Sequence, residues 1–354
     1  MAYPNTIIKI FVFIILCTAC TDKKKKMAIH QEPKAYKWDV EGGAPKNYPG
    51  IFYYANLVYK GGSKYVPAGA AGYQNGWGRG GRSHSQGSKP APLPYRLQAV
   101  WISVAEEGQA YTGDFELDTQ KIEEIFEKGN VRMRNGSISH NFSFKISIAP
   151  GGVLAVWLEG LREQVEIGYY KGQKTDEITW KDLAPGGEDI TLEEYCKSII
   201  ERRVPNHIQQ QLAKTGPPIG LWDTYRKKYI WNTAPLEEKE LVSLDYSYFN
   251  GEKAFLKFKE FDFNILQEYA VPNKGTIDWV TPEEKKYEGI IFFNEESIFN
   301  VFEEVYQKKE DTAAIFYEIQ TANNSTKIKA FLQNESVKKE IKIDSIEVSK
   351  YPDK

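Results

Sequence analysis

Short runs in which apolar and polar residues alternate recur along the chain, and residues that favour turns separate them. Residues 141–148 read NFSFKISI and alternate strictly, and the Pro-Gly-Gly of residues 150–152 follows them. The run 154–158 comes next, and two further runs flank the Asn-Gly of residues 250–251. An alternation of period two is typical of a strand with one buried face, and Asn-Gly is a strong hairpin signal. The sequence therefore predicts an α+β protein rich in antiparallel β-structure.

Two of the predicted helices each follow a strand and precede a hairpin. Asp118 and Thr119 offer an N-cap to one helix, and Asn294 caps the other. Their apolar residues share one helical spacing: Ile122, Ile125 and Phe126 in the first, and Ile298, Val301 and Phe302 in the second. We therefore expect two related lobes, residues 36–220 and 221–354, each with a helix packed on an antiparallel sheet. The alternative is that this order of elements recurs by chance.

The N-terminal segment has the pattern of an export signal. A lysine precedes the apolar run 10–16, which is shorter than the about 20 apolar residues that a membrane-spanning helix needs. Residues 16–20 read LCTAC and resemble a bacterial lipobox, in which the last cysteine, here Cys20, is lipidated. We therefore expect a signal peptide over residues 1–19 and a lipidated, basic tether over residues 20–35.

The residues after this cysteine bear on where the anchor sits. Thr21 follows Cys20, and by resemblance to the Gram-negative sorting rule a residue other than Asp favours the outer membrane. The four lysines of residues 23–26 make the tether basic, which favours the periplasmic face and contact with anionic headgroups. A buried N-terminal helix is the alternative, although the four lysines would end it abruptly.

Residues 61–94 are rich in Gly and Pro, a composition that excludes a long helix or a central strand. A connection of this length in a compact domain is either functional or disordered. In the functional alternative it is a recognition loop with Trp77 as its anchor and Arg79 or Arg82 as polar contacts, since Trp and Arg are common at binding hot spots. We expect such a loop to be mobile alone, with Trp77 largely exposed. A disordered insertion is the other interpretation.

A second candidate binding segment interleaves aromatic residues with cations. Residues 221–231 read LWDTYRKKYIW and contain Trp222, Tyr225 and Trp231. In an envelope protein such a segment can stack on sugars or bind an acidic partner. The alternative is that these aromatic side chains cover the joint between the two lobes.

Composition excludes several classes of protein. Lys and Arg total 46 against 48 for Asp and Glu, so no net positive field attracts nucleic acid. Three Cys are too few for a disulfide scaffold, and four scattered His give no metal-site spacing, so neither a metal nor a cofactor is expected. The sequence holds no G-x-S-x-G or H-E-x-x-H motif, its one C-x-x-C spans Cys17 and Cys20 of the predicted lipobox, and no catalytic residue is predicted.

A spaced series of residues resembles a known family. Trp38-x-Val40 is followed by the A-P-x-x-Y-P of residues 44–49, then by Leu93-Pro94, Trp101 and Tyr111. This order is similar to that of a domain-of-unknown-function family of bacterial lipoproteins, over roughly Trp38 to Tyr170. The resemblance implies no reaction and carries over no catalytic residue. It does imply a lipoprotein, and some lipoproteins of this general sort act as immunity proteins beside secreted toxins.

These observations lead to a functional expectation. We expect a non-enzymatic lipoprotein, held to the bilayer through acylated Cys20, that binds a protein such as a toxin, or a glycan, but no nucleic acid. The alternative is an envelope hydrolase or a glycan-binding module that acts on cell-wall polysaccharide. A pocket with two facing carboxylates of perturbed pKa would favour the hydrolase.

Overall fold

A computed structural model describes residues 33–68, 72–81, 89–130, 137–187, 189–234, 236, 240–257, 266–322 and 325–352. Cys20, the predicted signal peptide and most of the predicted tether lie outside these ranges. Within them, no helix is both long enough and apolar enough to cross a membrane.

The N-terminal half, residues 34–220, consists of strands interrupted by short capped helices. In chain order its elements are β1 Ala35–Tyr36, β2 Trp38–Gly43, β3 Gly50–Tyr59, β4 Gly62–Tyr65, β5 Ala91–Pro92, β6 Arg96–Ser103, β7 Gln109–Glu116, α1 Thr119–Lys128, β8 Phe142–Ala149, β9 Val153–Glu159, β10 Gln164–Lys171, β11 Gln173–Thr175, α2 Trp180–Leu183, α3 Leu192–Arg203 and α4 Asn206–Thr215. As predicted, Asp118 caps α1, accepting a hydrogen bond from the Lys121 amide, and the helix ends at Gly129.

The C-terminal half, residues 221–352, follows a similar pattern. Its elements are α5 Leu221–Tyr225, β12 Lys228–Thr233, β13 Glu240–Tyr248, β14 Lys253–Lys257, β15 Gln267–Ala270, β16 Pro272–Val280, β17 Lys286–Phe293, α6 Glu295–Val305, β18 Thr312–Ala322, β19 Ser325–Gln333, β20 Lys338–Ile341 and β21 Ile343–Lys350. The predicted hairpin at residues 250–251 joins β13 to β14. Asn294 caps α6 by accepting a hydrogen bond from the Ser297 amide, also as predicted.

The described strands form three large sheets and one small pair, β1-β5. The shared sheet takes strands from both halves in the order β2-β8-β9-β10-β14-β13-β16-β17-β21. The N-terminal sheet has the order β11-β7-β6-β3-β4, and the C-terminal sheet has the order β15-β12-β18-β19-β20. Among the described pairs, only β2 with β8 and β12 with β18 run parallel. The predicted α+β class with mainly antiparallel sheets is confirmed.

The two halves repeat one strand order. The order β2-β8-β9-β10 corresponds to β12-β18-β19-β20, and β4-β3-β6-β7-β11 corresponds to β14-β13-β16-β17-β21. In each half the helix, α1 or α6, connects corresponding strands, β7 to β8 or β17 to β18. This repeated topology agrees with the expected relation between two lobes. The boundary between residues 220 and 221 stays a prediction.

Each half has its own hydrophobic core. In the N-terminal half, side chains of the N-terminal sheet meet those of β2, β8, β9 and β10, and α1 adds Ile122 and Phe126, both 0% exposed. In the C-terminal half, α6 adds Ile298 and Phe302, again both 0% exposed, between the C-terminal sheet and the rest of the shared sheet. The predicted core faces of both helices are therefore confirmed.

Two segments fold against their local sequence preference. Glycine usually weakens or interrupts a strand, yet Gly42 and Gly43 lie within β2, where a Cβ on Gly42 would be 2.4 Å from Val66. Residues 221–231, which interleave aromatic residues with cations, form α5 and β12 rather than a loop. In both places, contacts with residues distant in sequence outweigh the local preference.

Candidate functional site

The aromatic residues predicted to bind a ligand after residue 220 are buried. Trp222, Tyr225 and Trp231 are 1%, 9% and 1% exposed. Trp231 lies in the C-terminal core, whereas Trp222 packs against Tyr48 and Trp77 of the N-terminal half, with ring centroids 5.7 and 5.9 Å apart. The three residues therefore form no exposed stacking platform. The alternative, in which aromatic side chains cover the joint between the halves, agrees with the contacts of Trp222.

The prediction that Trp77 is largely exposed is wrong. Its ring is half-buried and meets that of Trp157 at 90°, with the centroids 5.1 Å apart. Edge-to-face aromatic pairs of this kind stabilise a structure. Trp157 alternates along β9 with core residues, so its side chain lies on the opposite face of the shared sheet from the N-terminal core. In residues 72–81, which we call the strap, Trp77 is therefore packed on that face, whereas Tyr73 lies in the N-terminal core.

Glycine allows the strap to pack closely against its neighbours. A Cβ on Gly80 would lie 2.0 Å from a carboxylate oxygen of Glu41. Gly78 has a φ of +69°, and a Cβ there would lie 2.7 Å from the Cα of Gly251. Both positions require glycine, one for space and the other for space and conformation.

The strap also covers the edge of the shared sheet. The Gly76 amide donates to the Ala44 carbonyl at 3.0 Å, and the Gly81 amide donates to the Gly42 carbonyl at 2.7 Å. Strand β2 is the first strand of this sheet, and an uncovered edge would present unpaired backbone groups to other chains. The strap therefore has a structural role, whether or not it also binds a partner.

Of the other predicted residues, Arg79 is exposed on the strap. Its amide donates to the Gly76 carbonyl at 3.1 Å, which turns the chain there. Arg82 and Cys20 lie outside the described residues. Their predicted roles, in polar contact and in lipidation, stay predictions.

An exposed face rich in tyrosine and amide groups lies on the N-terminal sheet. One row of register partners on β4, β3, β6 and β7 consists of Tyr65, Asn56, Gln98 and Asp114. Tyr54 lies one row further along β3, and Tyr54 and Tyr65 are 38% and 37% exposed. Arg96, also exposed, lies two residues before Gln98 on the same face of β6. We call these six residues the tyrosine face.

A β-bulge determines which side chains reach this face. Phe52 pairs with Trp101 and Tyr54 pairs with Val100, so Tyr53 is an extra residue on β3. Before the bulge Phe52 points into the core, and after it Tyr54 points away from the core. The bulge therefore presents Tyr54 on the exposed side.

Helix α3 covers only one end of this side of the N-terminal sheet. Ile51, Ile102 and Ala110 cluster there with Cys196 and Ile199 of α3. Burial raises the pKa of the Cys196 thiol to about 12, so it stays protonated at neutral pH and acts as a small apolar side chain. The end with the tyrosines is left accessible.

The charges of the tyrosine face neutralise each other. Arg96 donates from Nε and Nη2 to the two carboxylate oxygens of Asp114, and the Gln98 amide donates to Asp114 at 3.1 Å. The hydrogen bonds from Arg96 contribute most to holding the pKa of Asp114 below its ordinary value, and the one from Gln98 adds to the effect. The pair stays ionised at neutral pH, and the face offers aromatic rings, amides and one bidentate ion pair.

A second group of charges resembles the carboxylate pair expected of a hydrolase. Burial raises the pKa of Glu166, although Arg226 donates to its Oε1 from Nη2 at 2.8 Å. Glu252 accepts a hydrogen bond from the Glu166 amide at 3.3 Å and pairs with Lys228 at 2.7 Å. Because a cation already binds each carboxylate, this geometry suits a connection between strands better than proton transfer.

The described residues contain no group of three or more His, Cys, Asp or Glu side chains that could hold a metal ion.

The tyrosine face was not predicted from the sequence, because aromatic residues in a strand are usually core residues. One signal was present: adjacent Tyr53 and Tyr54 interrupt the alternation of β3, as a bulge does.

Comparison with known families gives one match. The model of a family described as "Protein of unknown function (DUF2931)" matches residues 21–220, which include the tyrosine face and the strap. No curated protein and no solved structure matches the chain significantly.

Proposed function

The chain belongs to the DUF2931 family, whose function is unknown, and we propose that it is a non-enzymatic binding lipoprotein of the cell envelope. Acylated Cys20 anchors it to the outer membrane, with the folded part in the periplasm. Its partner is a protein, and a secreted toxin in the case of an immunity protein.

The tyrosine face is the observation that carries this proposal. Tyr and Arg are enriched in protein interfaces and at their hot spots, whereas unpaired charges are depleted from interface cores. Tyr54 and Tyr65 supply exposed ring area, and Asn56 and Gln98 supply adaptable donors and acceptors. Such a face, held on a rigid sheet, needs little reorganisation to bind a partner.

The anchoring is tested with Cys20→Ser in the full chain. We expect unprocessed precursor to accumulate, because cleavage of a lipoprotein signal requires an acylated cysteine. Metabolic labelling with a fatty acid and membrane fractionation give the readout, with Cys17→Ser as the matched control. Normally matured, membrane-attached Cys20→Ser protein would contradict the proposal.

The binding is tested against the product of the neighbouring gene, where a toxin partner is expected. We expect Tyr54→Ala with Arg96→Ala to weaken co-purification and protection from that toxin. Thr276→Ala is the matched control, because Thr276 occupies in the C-terminal half the position that Gln98 occupies on the tyrosine face. If the control loses binding to the same extent, or if the double variant still binds, the partner does not bind through the tyrosine face.

Exposed tyrosines beside amide groups also favour the second candidate, a glycan-binding module. Tyrosine rings can stack on sugars, and Asn56 and Gln98 can each both donate and accept hydrogen bonds. Titration of the full chain with soluble peptidoglycan fragments tests it. Saturable binding that Tyr54→Ala abolishes would favour the glycan over the protein partner.

A further inference from the structure

The shared sheet has one weak junction. Its other neighbouring strands are joined by five to eight register pairs each. Strands β10 and β14 are joined by a single pair, Gln164 with Lys253. This junction, which we call the seam, is also where the sheet passes from the N-terminal half to the C-terminal half. Within the described residues, no continuous backbone ladder therefore connects the halves.

Charged side chains bridge the seam instead. Arg162 pairs with Asp245 at 2.7 Å, and Lys171 pairs with Asp223 at 2.8 Å. The contact of Glu166 with Arg226 crosses the same boundary. A buried aromatic cluster, in which Ala149 and Val153 meet Trp222 and Tyr225 of α5, adds to these ion pairs. A junction of ion pairs and one small apolar cluster, with a separate core on either side, resembles an interface between two folded proteins more than the interior of one sheet.

A chain of charges, centred on one buried lysine, lies beside the seam. Lys145 is 7% exposed and contacts Glu41 at 2.6 Å and Glu159 at 2.8 Å, and Glu159 also pairs with Lys253 of β14. Glu41 is the residue against which Gly80 of the strap packs. The strap therefore covers one end of this chain of charges, and the Glu159–Lys253 pair at its other end crosses the seam.

The strap fastens the seam directly. The Gln164 side chain is buried, and its Nε2 donates both to the Gly78 carbonyl of the strap, at 2.7 Å, and to the Gly251 carbonyl of the β13–β14 turn. Gly78 and Gly251 are in contact, and Trp77 lies between Trp157 of β9 and Trp222 of α5. One short segment thus contacts both halves at the point where the sheet is weakest.

We propose that the seam is a joint held by the strap, and that releasing Trp77 and Gly78 lets the two halves separate while each core stays folded. This goes beyond the proposed binding function and does not depend on it. Opening the joint exposes Trp157 and Trp222, which are 0% and 1% exposed in the closed state. The segment predicted as a recognition loop then controls access to a second, aromatic surface.

Hydrogen exchange measured by mass spectrometry on the full chain tests the joint. In Gln164→Ala, the Gly78 and Gly251 carbonyls lose a donor, and we expect amides of β10 and β14 to exchange about tenfold faster while those of β6 and β16 change less than about twofold. Trp77→Ala should give the same pattern. Gln209→Ala is the matched control, because that glutamine also donates to backbone carbonyls, including Val204 at 2.8 Å, but lies at α4 away from the seam.

Each outcome decides the matter. Faster exchange confined to the seam in both variants, with none in the control, would support the joint. Exchange that rises equally in both cores would show one cooperative unit and overturn it, as would unchanged exchange at β10 and β14. If neither variant folded, the cores would depend on the strap, which also contradicts the proposal.

Discussion

The N-terminal and C-terminal halves share a strand order but differ in what their exposed faces carry. The row Asn56, Gln98, Asp114 corresponds in register to the row Asp245, Thr276, Ile290. The two amides of the N-terminal row are thus replaced by a carboxylate and a hydroxyl, and the Asp114 carboxylate is replaced by an aliphatic side chain. The row in the C-terminal half is partly buried, and its Asp245 pairs with Arg162 across the seam, whereas the N-terminal row keeps its Arg96–Asp114 pair on an exposed face.

Other features are the same in both halves. Trp101 stacks on its register partner Tyr111 with centroids 5.8 Å apart, and Trp279 stacks on its partner Tyr287 at 5.6 Å. Among the described residues, the only non-glycine residues with positive φ are Glu107 and Glu284, which follow corresponding strands β6 and β16. Features retained in both halves support the fold, which separates them from candidate functional residues.

The largest expected effect tests whether the two helices are equivalent. Phe126 and Phe302 are both 0% exposed, so Phe126→Ala and Phe302→Ala should each cost about 3–5 kcal/mol of unfolding free energy through lost burial and a cavity. Urea denaturation measures both. A cost below about 1 kcal/mol for either would break the equivalence.

A smaller effect distinguishes the two hairpins. Gly61 and Gly251 both have positive φ, +96° and +87°, but only a Cβ on Gly251 meets close neighbours, with Trp157 at 2.9 Å. Gly61→Ala should cost about 1 kcal/mol through backbone conformation alone, and Gly251→Ala about 1–3 kcal/mol more through overpacking at the seam. If both substitutions lower the stability equally in thermal unfolding, the seam accommodates the methyl group added at Gly251.

The two halves should also respond differently to acid. Burial alone would raise the pKa of Glu159, but hydrogen bonds from Lys145 and Lys253 outweigh it and hold the pKa below 4.5. Glu159 therefore stabilises the seam at and above pH 4.5, and this contribution is lost as the pH falls through its lowered pKa. Strand β19 ends in Gln333, as β9 ends in Glu159, so no corresponding loss arises there.

Exchange at β10 and β14 between pH 6 and pH 3 measures this effect, and Glu159→Gln should remove most of the acid dependence. Glu166 works in the opposite direction, because its raised pKa makes its contribution complete below pH 4.5 and lost at higher pH. Glu166→Gln should therefore leave the acid-induced loosening in place. If exchange at β10 and β14 still rises in acid in Glu159→Gln, a different titratable group causes the acid response.

The smallest expected effect concerns Glu107 and Glu284. Positive φ strains a residue that has a Cβ, so Glu107→Gly and Glu284→Gly should each stabilise the chain, by up to about 1 kcal/mol. The change should be similar in both halves, measured as a shift in the urea midpoint. Destabilisation in only one half would show that its turn depends on the Glu side chain.

The sequence predicted those parts of the structure that short segments determine. The N-caps Asp118 and Asn294 and the Asn-Gly turn act through residues three or four positions away, so the helices and the hairpin were found. Phe126 and Phe302 followed from helical spacing. The fold class depended only on such local signals.

The site was harder to predict because distant residues create it. Trp77 is partly covered by Trp157 and Trp222, and Gly78 is covered by Gly251, all remote in sequence. A glycine-rich segment has the same composition whether it is mobile or packed against another backbone. The exposure of Tyr54 depends on one extra residue in β3, which shifts every later side chain to the other face.

The parallel pairing within each half has a consequence for folding time. Strand β2 aligns Trp38 with Phe142 of β8, and β12 aligns Ile230 with Thr312 of β18, so each half is completed only when an early strand meets one made much later. Non-local pairing of this kind slows folding to about milliseconds or seconds in small domains. Until β8 and the strap arrive, β2 has no partner on either side, and an unpaired strand is prone to aggregation. The rate of folding, more than final stability, should therefore limit how much protein is recovered.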